Sequence, residues 1–194
     1  MNEAVELPIV IVSGLPRSGT SLMMQMLQRG GISVLTDGIR QADEDNPRGY
    51  FELEAVKRTK QDATWLDQAA GMAVKVIYRL LHDLPTDLHY QVILMRRPMA
   101  EVLASQSAML SRTGNEGASI PPARLGELFS SQLADVVRYL RQQPQFDVLE
   151  VNHRDVLDDP LVAAKSVAQF LRRPLDLQAM ANAVDTSLYR RQSE

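Results

Sequence analysis

The chain has 194 residues, which is enough for one compact domain with a large buried core over residues 1–194. Hydrophobic residues make up 45% of it and charged residues 23%, a globular composition that excludes an intrinsically disordered chain. The net charge of −3 argues against nucleic acid or a membrane as a partner, and the absence of cysteine excludes disulfides and thiol nucleophiles.

The first predicted element is the run from Leu7 to Val12. It is apolar on both faces and rich in β-branched residues, which indicates a strand buried in a parallel sheet. The run is too short to span a bilayer, and the residues before it do not resemble a signal peptide. These features predict a soluble cytoplasmic protein.

A glycine-bearing turn and a helix follow this strand. The segment from Leu22 to Arg29 contains good helix formers, and Gly30 and Gly31 after it are typical of a helix end. A strand, a turn and a helix in this order form the first half of a βαβ unit.

The rest of the chain continues the alternation of strands and helices. Strands are predicted at residues 32–35, 72–77, 91–95 and 146–151, and helices at residues 51–69, 99–110, 123–141 and 160–171. The polar stretches 36–49 and 111–122 are expected to be loops. This order predicts an α/β fold with a parallel sheet covered by helices on both faces.

The turn after the first strand has the composition of a phosphate-binding loop. Gly14 and Gly19 are spaced as in a Walker A loop, although Thr20 occupies the place of the lysine. Glycines let backbone N–H groups converge on an anion, and the helix that follows directs its positive end at the same point. The hydroxyls of Thr20 and Ser21 and the guanidinium of Arg17 add further donors.

Two other functions fit a loop of this kind. A P-loop kinase or nucleotidase that uses ATP requires the lysine and an acidic residue at the end of a neighbouring strand for magnesium. Here the strand that ends at Met95 runs into Arg96 and Arg97, which suit a second anion rather than a metal ion. A nucleotide-binding protein without turnover is the other alternative. The three histidines lack zinc spacing, so no metal is expected.

Three segments of the chain resemble the sulfotransferases, especially the bacterial and tyrosylprotein-sulfotransferase-like branches. They are Leu15–Met23, Met95–Ser105 and the stretch from Val151 to Leu171. The resemblance implies a three-layer P-loop-type fold and the donor 3′-phosphoadenosine 5′-phosphosulfate (PAPS). It also implies transfer of a sulfuryl group to an acceptor hydroxyl or amine, with release of 3′,5′-adenosine bisphosphate (PAP) and without a metal.

The resemblance also assigns residues to the donor. The 5′ end would lie on Gly14, Pro16, Arg17, Ser18, Gly19, Thr20 and Ser21. The 3′-phosphate would bind Ser105 with Arg96 or Arg97, because alignment on the strand selects Arg96 and the family's arginine-to-serine spacing selects Arg97. His153 falls where relatives place an adenine contact, and Arg190 lies where they close a basic segment over the 3′-phosphate.

Arg17, Lys75 and Glu52 are the catalytic candidates. Lys75 interrupts an apolar run, and the resemblance places near it a lysine that neutralises the leaving oxygen. Many relatives use a histidine just after this lysine as general base, but protein- and glycan-directed relatives use a glutamate. Glu52 is the candidate here, although it could instead complement a helix dipole, whereas Glu54 is explained by an ion pair with Arg58.

Overall fold

Four parallel strands form the central sheet of the protein. The computed structural model describes residues 7–43, 46, 48–113 and 120–185. The strands are β1 (Ile9–Gly14), β2 (Ala73–Lys75), β3 (Tyr90–Arg96) and β4 (Phe146–Asn152). Their order in the sheet is β2-β1-β3-β4, and every neighbouring pair is parallel. The α/β prediction is confirmed.

Helices cover both faces of this sheet. They are α1 (Thr20–Arg29), α2 (Met99–Thr113), α3 (Pro122–Gln142), α4 (His153–Asp158), α5 (Pro160–Leu171) and α6 (Leu177–Asn182). All six residues of β1 are buried, and alternate side chains enter different cores. Ile11 packs with the core that includes α3, and Val12 packs with the core that includes α1 and α5. This two-sided burial explains the continuous apolar run in the sequence.

The helix predicted at residues 51–69 is wrong. The segment forms two 3₁₀ helices instead, Glu54–Arg58 and Thr64–Gln68. Thr59 ends the first helix, because its hydroxyl donates to the Val56 carbonyl and accepts from the Trp65 indole. Asp62 lies just before the second helix and accepts from the amide of Thr64, the first residue of that helix. These side-chain bonds compete with a continuous α-helix.

The prediction of a strand at residues 32–35 is also wrong. Val34 forms one isolated parallel bridge with Ala73, where Leu35 N donates to the Ala73 carbonyl. The strand β2 is only three residues long, so it offers no longer ladder for this segment. Thr36 then turns away, and its hydroxyl donates to the Glu52 carbonyl.

The remaining predicted helices and strands are present with shifts of a few residues at their ends. The helices α4 and α6 and a 3₁₀ helix at Tyr78–Asp83 were not predicted. Asp159 caps α5 by accepting from the Val162 amide, and Pro160 occupies the first position of this helix. Within the ranges that the structure describes, no helix has both the length and the hydropathy needed to cross a bilayer.

Candidate functional site

The candidate residues collect at the carboxyl edge of the sheet. Strand pairing aligns Val12 with Lys75, Gly14 with Met95 and Arg96 with Asn152. Because all four strands are parallel, the loops that leave their carboxyl ends meet along this edge. Ligand sites of open α/β sheets lie in this position.

The loop between β1 and α1 requires glycine at two positions. Gly14 has a φ of 151°, and a Cβ there would lie 2.7 Å from the Met95 carbonyl oxygen. Gly19 has a φ of 98°, and a Cβ there would collide with the His153 ring. The glycine spacing seen in the sequence therefore reflects both backbone conformation and close packing.

This loop has donors positioned for an anion. No side chain caps the first turn of α1, so its initial N–H groups point out of the helix end. The Ser18 hydroxyl is buried, and it has no hydrogen-bond partner among the described residues. An orphaned hydroxyl beside an uncapped helix end fits a bound phosphate or sulfate group.

Arg17 connects this loop to α2. Its Nε donates to the Ser105 hydroxyl at 2.9 Å, although the two residues are 88 positions apart in the chain. Its backbone is in the left-handed region with a φ of 69°, and its carbonyl accepts from Arg97 at 2.9 Å. The cation predicted for the 5′ end and the serine predicted for the 3′ end are therefore in direct contact.

Arg97 and Arg96 have different surroundings. The difference bears on the two alignments, which place one or the other arginine at the 3′-phosphate with Ser105. The Arg97 side chain is 9% exposed, and its Nε donates to Glu101 at 2.9 Å. Glu101 is buried, and its other oxygen accepts from Arg154 at 2.7 Å. Arg96 is 37% exposed and lies 3.6 Å from Glu150 on β4. Arg97, rather than Arg96, thus shares the surroundings of Ser105.

His153 lies beneath the loop at the start of α4. The ring is 7% exposed and packs against Gly19. Burial and, to a smaller extent, the nearby Arg97 guanidinium lower the pKa of His153 from 6.5 to about 4, and the carboxylate of Glu101 opposes this shift. The imidazole is therefore neutral at pH 7. Its contact with adenine stays a prediction.

We expect this neutral histidine to make the fold sensitive to acid. The unfolded chain binds a proton at His153 below pH 6.5, and the folded chain binds it only near pH 4, so stability falls as the pH falls through this range. The loss amounts to about 3 kcal/mol at most. Urea unfolding of His153→Gln between pH 7 and 4 should show a shallower decline, whereas the exposed His89→Gln should match the original protein. Equal declines in all three would contradict the assignment.

Lys75 points from the end of β2 into the space between the loop and the segment before residue 54. Its Nζ donates to the Tyr50 carbonyl at 2.9 Å and to the Ser21 hydroxyl at 3.2 Å. Burial lowers the pKa of Lys75 from 10.5 to about 8, and the negative charge of Glu52 opposes this shift. Asn46 also donates to the Ser21 hydroxyl, at 2.9 Å.

Glu52 lies opposite this lysine. The distance from Glu52 Oε1 to Lys75 Nζ is 3.8 Å, and Arg40 donates to the same oxygen at 2.9 Å. Glu54 pairs with Lys57 at 2.7 Å rather than with Arg58, so the predicted partner is wrong. A 3₁₀ helix places the residue three positions on, not four, beside the glutamate.

Several residues at this edge were missed by sequence reasoning. They are Arg40, Asn46, Tyr50, Glu101 and Arg154. The spacing of Glu101 and Ser105, one helical turn apart on α2, was a usable signal for Glu101. Arg190 lies outside the described residues. Within the described residues, no group of three or more acidic or histidine side chains could hold a metal ion.

Solved structures of sulfotransferases share this fold. Mouse sulfotransferase SULT7A1 complexed with PAP matches with a TM-score of 0.62 and 14% identity, over 95% of this chain and 67% of that one. The sulfotransferase domain of the Synechococcus PCC 7002 olefin synthase matches with a TM-score of 0.59 and 18% identity, over 95% and 80%. Sulfotransferase STF1 of Mycobacterium tuberculosis H37Rv matches with a TM-score of 0.58 and 17% identity, over 97% and 74%. No family model and no curated protein sequence matches the chain.

Proposed function

We propose that this protein, which has the sulfotransferase fold, transfers the sulfuryl group of PAPS to a hydroxyl or amine acceptor and releases PAP. The observation that carries the proposal is the meeting of three distant segments at one edge of the sheet. Arg17 of the loop contacts Ser105, Arg97 contacts the Arg17 carbonyl, and His153 packs on Gly19. Each segment is one that resembles the family's donor site in sequence.

The loop would hold the 5′ end of the donor. The N–H groups at the start of α1 and the Ser18, Thr20 and Ser21 hydroxyls supply neutral donors, and Arg17 supplies the positive charge. This set of donors is suited to binding three anionic oxygens that lie close together. Charge that develops on a transferring sulfuryl group is stabilised by donors aimed at those oxygens.

The segment from Arg97 to Ser105, which includes the first half of α2, would hold the 3′-phosphate. The Ser105 hydroxyl and the Arg97 side chain lie on either side of Glu101, and Arg17 reaches the same serine. We assign the 3′-phosphate to Ser105 and Arg97 because Arg96 is turned toward Glu150 on the neighbouring strand. Glu101 holds Arg97 by an ion pair, which fixes the direction of its guanidinium.

The chemical step would use the side of the loop that faces Glu52 and Lys75, away from the proposed 3′-phosphate site. Glu52 takes the proton of the acceptor hydroxyl as that oxygen forms a bond to sulfur. The bond between sulfur and the 5′-phosphate oxygen breaks, and its electron pair stays on that oxygen. Lys75, which reaches Ser21 of the loop, and Arg17 stabilise the negative charge there. The proton is released from Glu52 after the product leaves.

We expect Lys75 to impose an alkaline limit on the rate. Burial lowers its pKa to about 8, so the charged ammonium is lost as the pH rises above this value, and kcat/KM should fall there. The profile should be recorded from pH 6 to 10. In Lys75→Arg the side chain stays charged, so the alkaline fall should move beyond pH 10 even where the maximum rate is lower. An unchanged alkaline fall in this variant would assign it to another group.

Binding of PAP without magnesium is the direct test of the donor site. At a hundredfold excess over its dissociation constant, a ligand that binds the folded chain stabilises it by about 2.7 kcal/mol. Thermal unfolding should therefore shift with PAP alone and not with AMP or with ADP and magnesium. Ser105→Ala should weaken the PAP response, because it removes a hydroxyl from the proposed 3′ site. A shift with ADP and magnesium but none with PAP would favour a kinase instead.

A further inference from the structure

The carboxylate of Glu52 is held on one oxygen only. Arg40 donates to Oε1 at 2.9 Å, and the same oxygen faces Lys75 Nζ at 3.8 Å. Within the described part of the chain, no hydrogen bond engages Oε2. Two cations on one oxygen leave the other oxygen as the site where a proton can be accepted.

Arg40 is itself anchored by Tyr50. The guanidinium carbon of Arg40 lies 3.4 Å from the centroid of the Tyr50 ring, which is a cation–π contact at close range. The tyrosine is 5% exposed, and its hydroxyl donates to Asp43 at 2.8 Å. The Tyr50 carbonyl accepts from Lys75. One buried residue therefore positions both cations that approach Glu52.

The backbone around Glu52 is also held in place. The Glu52 carbonyl accepts from the Thr36 hydroxyl at 2.8 Å and from the Asp37 amide at 3.3 Å. Phe51 has a φ of 54°, a conformation that is strained for a bulky residue. Strain of this kind persists only where the surrounding contacts fix the chain, and it is concentrated at functional sites. These hydrogen bonds, with the bond from Lys75 to the Tyr50 carbonyl, hold the backbone of the Tyr50–Glu52 segment beside Lys75.

We infer that Arg40 is a positioning residue that holds Glu52 Oε1 so that Oε2 receives the proton of the acceptor. This inference rests on the proposed function, because it gives Glu52 the role of general base. The Arg40 and Glu52 side chains are 45% and 28% exposed, and exposed ion pairs contribute little to folding stability. Loss of the Arg40 side chain should therefore lower the reaction rate and leave the fold stable.

The test uses labelled PAPS with 2-naphthol as acceptor, and with water as acceptor when 2-naphthol is omitted. We expect Arg40→Ala to lower kcat by about 10- to 100-fold, because the carboxylate loses its orientation. KM for PAPS and the dissociation constant of PAP should stay the same, and Arg40→Lys should recover part of the rate. Arg48→Ala is the matched control, since this arginine of the same segment contacts Ala183 and Asp185 instead.

A double-mutant cycle distinguishes positioning from a general structural effect. In the Glu52→Gln background, Arg40→Ala should change kcat by less than about twofold, because no base remains to be oriented. An equal loss with and without Glu52, a normal rate for Arg40→Ala, or an equal loss in Arg48→Ala would each overturn the inference. Absence of transfer by the original protein to both acceptors would instead overturn the proposed function, and the inference with it.

Discussion

Replacement of Arg17 by alanine is expected to lower the rate of sulfuryl transfer by about a thousandfold, since one preorganised charged donor is removed from the transferring group. The fold should persist. The Arg17 carbonyl, not its side chain, accepts from Arg97, so this bond remains in the variant. The side-chain bond to Ser105 is lost, but that serine lies in the middle of α2 and does not depend on it.

Single-turnover assays with labelled PAPS and far-ultraviolet circular dichroism would measure these two effects separately. Arg17→Lys is the matched variant, because it keeps the positive charge and loses the planar donor set. We expect its rate to lie between those of the alanine variant and the original protein. An alanine variant with a nearly normal rate would remove Arg17 from the mechanism and would leave the loop amides as the main stabilising groups.

Exchange of Glu52 for glutamine should lower kcat by about a hundredfold or more, which is the usual contribution of a positioned general base. The amide keeps the size of the side chain and its hydrogen bond with Arg40 but accepts no proton. Because Glu52 raises the pKa of Lys75, its neutralisation should also move the alkaline fall in kcat/KM to lower pH.

Glu54→Gln is the control for this exchange. Glu54 lies two residues away and its side chain is 54% exposed, but it pairs with Lys57 on the surface and does not face Lys75. Initial rates across pH 6 to 10 would compare the two variants with the original protein. If both glutamine variants retained the original rate, the proton would have to leave through water or another acidic residue. Loss in Glu54→Gln alone would make Glu54 the base.

The positions of the four strands of the sheet and of the loop after β1 followed from local features of the sequence. Burial on both faces makes the run from Ile9 continuously apolar, and Gly14 and Gly19 adopt backbone angles that other residues rarely adopt. Such features depend on residues that are close together in the chain, so they can be predicted before the fold is known. The segment at 51–69 was mispredicted because Thr59 and Asp62 form side-chain hydrogen bonds with the Val56 carbonyl and the Thr64 amide, and such bonds compete with a continuous α-helix.

The ion-pair partners of the charged residues could not be predicted in this way. Glu54 was expected to pair with Arg58 and pairs with Lys57, because the helix is tighter than an α-helix. Arg97 and Arg96 are adjacent in sequence, yet one lies against Glu101 and the other against Glu150. The partner that each arginine meets depends on the direction of its side chain at the end of β3. That direction in turn depends on how α2 and β4 pack beside the strand.

Taken alone, the sequence determined the alternation of strands and helices, the glycine-bearing loop after β1, and the pair of arginines where β3 leads to α2. It did so because apolar periodicity and glycine requirements are properties of short segments. Only the tertiary structure decided that Arg17 meets Ser105, that Arg154 meets Glu101, and that Arg40 and Lys75 meet on one oxygen of Glu52. Long side chains have many partners within reach, and the packing of distant elements selects among them.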